Sequence, residues 1–300
     1  CEAIRRRRLF CFFKGQLDET IMTQVKHLFD LADRVAIVTG GAGLLGRQHA
    51  EVLSEAGANV VIADRLGDAA ASTATELEEK FKVPTLSVAV DVGDENSVRA
   101  MVKQILERFG RIDILINNAA MTVKGGSENM AGYFAPFEEY QESLWQEALA
   151  VGLTGAYLCS QHVGRVMVDQ GSGVIINISS TYGLVGPNQR LYEGCTNPYD
   201  PSRPLNTPVS YSVVKSGVLG LTRYLATYWA GKNIRVNALT PGGVYDGHDE
   251  EFVRSYSAKS VLGRMAKVDE YRGAILFLAS DASSYMTGSN LVVDGGWTAW

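Results

Sequence analysis

Apolar residues along this chain fall into two alternating kinds of run. Short, mostly apolar stretches recur at 35–38, 59–63, 85–90, 113–116, 173–178, 234–239 and 290–293. Between them, at 44–56, 69–81, 97–109, 138–149, 154–169, 209–230 and 270–279, apolar residues stand three and four apart. The short runs predict strands buried on both faces, and the longer spacing predicts amphipathic helices. Gly57 and Gly110 stand where two of the helices should stop, because a left-handed C-cap favours glycine. Strands alternating with helices predict a parallel sheet covered on both sides. Right-handed crossovers then give one α/β domain, a doubly wound sheet of about seven strands, with its ligand crevice at the strands' C-terminal ends. We place this domain at 22–300.

Residues 1–21 stand outside that scheme. Arg5, Arg6, Arg7 and Arg8 precede an apolar run at 9–13, shorter than the roughly 7–15 residues of an export signal. They are read as a poorly ordered extension, or as sequence upstream of a start at Met22.

Composition narrows the function classes. At 46% hydrophobic and 20% charged residues, the chain has the material for a large core and does not read as disordered. A net charge of −5 gives no electrostatic footprint for nucleic acid. No apolar run reaches the roughly 18 residues that span a bilayer. Cys1, Cys11, Cys159 and Cys195 show no paired spacing and suggest free thiols in a reducing cytoplasm. His27, His49, His162 and His248 show no ligand spacing, so no metal is expected.

Chemistry gathers at a few points. The glycine-rich turn at 39–46 joins the first strand to the first helix. Glycines let a backbone approach a pyrophosphate, and the helix N-terminus supplies free N–H groups and partial positive charge. Asp64 closes the second strand, where a carboxylate can accept both ribose hydroxyls of NAD and would repel the 2′-phosphate of NADP. NAD is therefore favoured, although Arg65 beside it could pair with that phosphate. Asp91 ends the third strand and either meets the adenine or caps the helix near Gly93 and Asp94. Tyr211 and Lys215 stand four apart, so a helix brings them to one face. A nearby ammonium should lower the tyrosine pKa and make a proton donor and acceptor usable near neutral pH.

Taken together, these residues resemble the short-chain dehydrogenase/reductase family over about 33–298. The resemblance rests on the turn at 40–46, Asp91 with Val92, the run Asn117, Asn118, Ala119, Ala120, Ser180, the Tyr211/Lys215 pair, Pro241 with Gly242, and the closing Asp294, Gly295, Gly296. It implies a single-domain Rossmann fold, a nicotinamide cofactor, a small-molecule substrate and a homodimer or homotetramer. It further implies that Tyr211 is the general acid/base, Lys215 its partner and a ribose ligand, and Ser180 the holder of the substrate oxygen, with Ser179 the less favoured serine. The cofactor site it implies comprises Gly40, Gly43, Leu45 and Gly46, then Asp64, Asp91 and Val92, and Asn118 with Ala119. Tyr211, Lys215, Pro241, Gly242 and Val244 complete it.

Four departures qualify the resemblance. Gly43 takes the place of a glycine more common one residue later, as in the family's sugar-nucleotide epimerases and dehydratases. Gly152 stands where an asparagine usually holds a relay water, so Gly152→Asn is expected to raise turnover or leave it unchanged. An insert at 184–208, polar and rich in proline, should overhang the site and suit a hydroxylated, carbohydrate-like substrate. An acidic segment at 245–251 could bind sugar hydroxyls or an amine. The aromatic tail, including Trp297 and Trp300, is expected at a subunit interface. Three readings follow: an NAD-dependent alcohol/ketone oxidoreductase, a sugar-nucleotide epimerase or dehydratase, and a catalytically weak NAD-binding sensor or scaffold.

Overall fold

Strand β1 (Val35–Thr39) leads into helix α1 (Leu44–Glu55), then β2 (Asn59–Asp64), α2 (Gly67–Phe81), β3 (Thr85–Ala89), α3 (Glu95–Phe109) and β4 (Ile114–Asn117). After β4 come α4 (Glu142–Leu149), a π-helical segment (Ala150–Thr154), α5 (Gly155–Gln170) and β5 (Gly173–Ile178). The chain closes with α6 (Val209–Tyr228), β6 (Ile234–Pro241), α7 (Glu250–Lys259), α8 (Arg272–Ala279) and β7 (Asn290–Val293). The structure, a computed structural model, describes residues 25–121, 130–197 and 200–300. The extension at 1–21 and the start at Met22 lie outside the described residues.

The strands form one sheet in the order β3-β2-β1-β4-β5-β6-β7, and every pairing is parallel. Chain order reverses between β1 and β4, which opens the crevice expected of a doubly wound sheet. Period-2 geometry explains why the strands are apolar throughout. In β1, Ala36 and Val38 face one core while Val35 and Ile37 face the other. The first core is closed by Leu53 of α1, Leu77 of α2 and Ile275 of α8. The second is closed by Met101 of α3, Val163 of α5 and Leu225 of α6. Each such side chain, fully buried, contributes about 1.5–3 kcal/mol.

Among the described residues, two α-helices lie outside the predicted pattern, a single turn at Met130–Tyr133 and α7. Helix α7 starts within the acidic segment, where Asp249 Oδ1 accepts from the amides of Glu251 (2.9 Å) and Phe252 (3.4 Å). That carboxylate is an N-cap. Among the described residues, no helix is long and apolar enough to cross a membrane.

Candidate active site

The glycine turn after β1 is shaped by close approach. Gly40 takes φ +62°, and a Cβ on Gly46 would stand 2.1 Å from the Gly40 carbonyl oxygen. Only glycine lets α1 pack this tightly on the turn. Gly43 is the N-cap of α1 and supplies no side-chain cap, so the first-turn amides are left for an anion. The cradle thus fits a pyrophosphate, with Leu45 half-buried in that first turn.

Asn118 secures the turn from β4. Its Nδ2 donates to the carbonyls of Thr39 (2.9 Å) and Gly40 (3.1 Å). The amides of Asn118 and Ala119 both donate to Thr39 Oγ1 at 3.0 Å. Asn117, one residue earlier, is buried. Its Nδ2 reaches Asn177 Oδ1 (2.8 Å) and Ser160 Oγ (3.0 Å) in a buried side-chain network between β4, β5 and α5.

Asp64 is partly buried, and Arg65 beside it is exposed. The Asp64 oxygens accept from the amides of Ala42 and Leu66, both at 3.1 Å, which ties the end of β2 to the turn. Asp91 Oδ1 accepts from the Gly93 amide (2.8 Å), whereas Asp94 is the residue that caps α3. Val92 is buried against α5, where a Cβ on Gly155 would meet it at 2.7 Å. Pro241 ends β6, the Gly242 amide donates to Val293 O (2.9 Å), and Val244 forms an isolated bridge with Ala266. All these candidates stand at or just beyond the C-terminal ends of strands.

Tyr211 lies in the first turn of α6, and Lys215 follows one turn later, only 6% exposed. Lys215 Nζ donates to the Ile178 carbonyl at 2.9 Å and sits 5.8 Å from the centre of the Tyr211 ring. Ser180 begins a 3₁₀ turn, Thr181–Gly183, and its hydroxyl accepts from the Tyr182 amide at 3.3 Å. Two further serines stitch this turn to α6. Ser179 Oγ donates to the Lys215 carbonyl (2.7 Å) and Ser216 Oγ to the Gly183 carbonyl (3.0 Å).

Electrostatics here depart from the expectation that Lys215 lowers the Tyr211 pKa. Burial raises Tyr211 above the usual tyrosine value, and its hydrogen bond with Ser180 only opposes that rise. Burial likewise lowers Lys215 from 10.5 to about 8. Apolar walls penalise either charge, so both groups are pushed toward their neutral forms.

Packing accounts for the glycine at 152. This residue is buried in the π-helical segment, and a Cβ there would stand 2.5 Å from Val214 Cγ1. Valine has little χ1 freedom in a helix, so Val214 cannot simply turn aside. Asparagine at 152 would overpack this contact.

The insert at 184–208 is tied down along its described length. Gln189 clasps Thr207, accepting from its amide (2.9 Å) and donating to its carbonyl (3.3 Å). Asn206 Nδ2 donates to the Phe134 carbonyl at 3.3 Å, and Tyr140 Oη meets Ser210 Oγ at 2.7 Å. Between the clasped ends a 3₁₀ turn, Gln189–Tyr192, packs on α7 through Tyr192 stacked on Phe252 at 5.2 Å. Pro198 and Tyr199 of the insert lie outside the described residues.

A third apolar cluster results, built from Tyr182, Leu191, Tyr256, Met265 and Trp297, with Tyr192, Tyr211 and Phe252 at its margin. Trp297, expected at a subunit interface, is instead buried inside its own chain against Tyr256, with ring centres 5.7 Å apart. Trp300 remains 79% exposed. The i,i+4 spacing of Phe252 and Tyr256 was the available sequence signal for this cluster.

Known proteins agree with this architecture. Residues 34–193 match the family model described as short chain dehydrogenase, and residues 201–298 match the one described as Enoyl-(Acyl carrier protein) reductase. The chain is 37% identical over 272 residues to cis-4-hydroxycyclohexanecarboxylate dehydrogenase of Sinomonas cyclohexanicum, covering 89% of this chain and 98% of that protein. A gluconate 5-dehydrogenase from Burkholderia cenocepacia, solved with NADP and tartrate, superimposes with a TM-score of 0.79 at 31% identity, covering 92% of this chain and 99% of that one. An NAD+-bound xylitol dehydrogenase superimposes with a TM-score of 0.76 at 28% identity, covering 89% and 99%. Sequence, sheet order and relatives agree: the chain belongs to the short-chain dehydrogenase/reductase family and is an NAD(P)-dependent oxidoreductase acting on CH–OH groups.

Proposed function

We propose that this enzyme interconverts a secondary alcohol and a ketone on a polar, carbohydrate-like substrate, with NAD as the preferred cofactor. The observation that carries the reading is the stitched arrangement of Ser180, Tyr211 and Lys215 beneath a polar, aromatic cover. The relatives support the substrate class, since they are named for a hydroxylated ring acid, a sugar acid and a polyol. NAD preference rests on Asp64 at the end of β2.

The bound nicotinamide supplies hydride exchange at the substrate carbon. Ser180 holds the substrate oxygen, and its hydroxyl stabilises charge developing there. Tyr211 takes the hydroxyl proton during oxidation and returns it during reduction. Lys215 lies one helical turn away and is poised near neutrality at about 8, so it offers charge when the phenol loses its proton. Gly40, Gly43, Leu45 and Gly46 would cradle the pyrophosphate, Asp64 the adenosine ribose, and Asp91 and Val92 the adenine. Asn118, Ala119, Pro241, Gly242 and Val244 would line the nicotinamide half.

The domain is assigned to 22–300, with 1–21 as an extension. A cytoplasmic location rests on the free thiols of Cys159 and Cys195. A homodimer or homotetramer is supported by an exposed aromatic stripe on α6, where Tyr224 and Tyr228 stack at 5.7 Å.

The test is nicotinamide reduction by pure protein, with NAD or NADP, across polyols, sugar acids, hydroxycyclohexanecarboxylates and simple alcohols. Turnover with a polyhydroxylated substrate, higher with NAD and abolished in Tyr211→Phe while NAD binding stays within a few fold, is the expected result. Activity retained in Tyr211→Phe would remove that residue as acid/base. Tight NAD binding without NADH release would favour an epimerase or a non-enzymatic role, which product analysis separates.

A further inference from the structure

Tyr182 stands two residues after Ser180 in the 3₁₀ turn that the serine begins. That turn is held from two sides. Toward α6, Ser179, Ser216 and the close approach of Gly183 to the Lys215 carbonyl fix it. Toward the insert, Tyr182 makes the link. Its buried ring packs edge-on to Tyr211 and Trp297, with ring centres 6.5 Å and 5.6 Å apart. Its hydroxyl lies within hydrogen-bond reach of the Tyr192 and Thr207 hydroxyls, which themselves meet at 2.9 Å. Both partners are anchored, Thr207 by the Gln189 clasp and Tyr192 by its stack on Phe252. The Tyr182 backbone also touches the site, because its amide donates to Ser180 Oγ at 3.3 Å. Ser180 is in turn hydrogen-bonded to Tyr211.

We propose that Tyr182 is a positioning residue, whose phenol joins Tyr192 and Thr207 in a hydroxyl triad that ties the insert to the turn of Ser180 and so holds the Ser180 hydroxyl against Tyr211. The inference rests on the oxidoreductase reading above and adds to it the device that aligns the serine with the acid/base. Loosening this link can act on Tyr211 in two ways of opposite sign. The Ser180 hydrogen bond lowers the Tyr211 pKa, whereas burial raises it. A misaligned Ser180 therefore raises that pKa, and water admitted under the cover lowers it. The other titratable groups around Tyr211 are Lys215 on its own helix, Tyr192 in the insert, Tyr133 after β4 and Tyr256 on α7.

The test is the pH profile of kcat/KM for oxidation at saturating cofactor. The probes are xylitol, gluconate and 4-hydroxycyclohexanecarboxylate, and the fastest carries the profile. Tyr182→Phe keeps the ring contacts and removes only the hydroxyl. Oxidation uses the phenolate as base, so activity rises with pH through the Tyr211 pKa. In Tyr182→Phe the rise should move to higher pH, and kcat/KM below it should fall about fivefold, the scale of one lost neutral hydrogen bond. Thr207→Val should move the rise in the same direction by less. The double variant should move it no further than Tyr182→Phe alone, because both changes break one triad. Thr207→Val carries the test if Tyr182→Phe does not fold. A rise that stays in place overturns the proposal. A rise that moves to lower pH also overturns it, since the triad would then only exclude water. Shifts that add in the double variant do the same. A wild type that forms no NADH or NADPH with any of the three alcohols overturns the function reading as well.

Discussion

Tyr211 and Lys215 lie one turn apart on α6, and both are enclosed by other elements. Their spacing announces a shared helix face, but burial from other elements decides their charge. Lys215 is driven from 10.5 to about 8 by burial. Below about pH 8 the folded protein must therefore carry a buried ammonium, a cost relieved as pH rises toward 10.5. At 1.36 kcal/mol per pKa unit, that relief is about 3 kcal/mol at most. Denaturant unfolding should thus find the stability of Lys215→Met, relative to wild type, highest below pH 8 and declining through the window to a plateau above about 10.5. A difference that stays flat across this range would mean that burial does not shift Lys215. Gly152 gives the contrasting lesson. Its departure from the family pattern is visible in the sequence, but its reason is Val214, 62 positions along the chain and pressed against it. Gly152→Asn should cost about 1–3 kcal/mol by overpacking. Adding Val214→Ala should recover part of that loss, so that the two changes are non-additive in a double-mutant cycle.

At the scale of elements, period and length revealed the seven strands and most helices, because a strand buried on both faces and an amphipathic helix each leave a local signature. What stayed hidden depends on partners distant in sequence. Helix α7 has a polar start that reads as a binding segment until Asp249 is seen capping it. The insert reads as a loop because its order comes from the Gln189–Thr207 clasp and from Tyr192 against Phe252. The cover over the site is therefore two elements that stabilise each other. Loss of the α7 cap should propagate to the insert while sparing the sheet. Asp249→Ala is expected to cost the helix about 1 kcal/mol. In hydrogen exchange, amides of 250–259 and 189–192 should exchange several-fold faster, while those of β1, β4 and β5 keep their wild-type protection. Uniform acceleration everywhere would mean that the cover is not a separate unit of stability.

For the whole molecule, the two cores on either side of the sheet leave α6 with an outward stripe that neither core uses. Val213, Gly220, Tyr224 and Tyr228 are spaced to share one face of that helix, and all four are exposed. Tyr224 and Tyr228 expose 62% and 67% of their surface, and Tyr157 on neighbouring α5 exposes 46%. A Cβ at Gly220 would meet nothing within 4 Å, so a second helix could approach the backbone there. Aromatic rings and a small residue on one exposed helix face suit association with another copy of the same surface, and a two-fold arrangement would satisfy both copies at once. The catalytic helix would then be braced from outside as well as from within. Tyr224→Glu combined with Tyr228→Glu should lower the molar mass seen by light scattering by at least half, because carboxylates in a two-fold contact meet their own copies. The circular dichroism spectrum should stay that of wild type, since neither ring belongs to either core. An assembly unchanged in mass would mean that α6 faces solvent in the native protein and that any contact between subunits lies elsewhere.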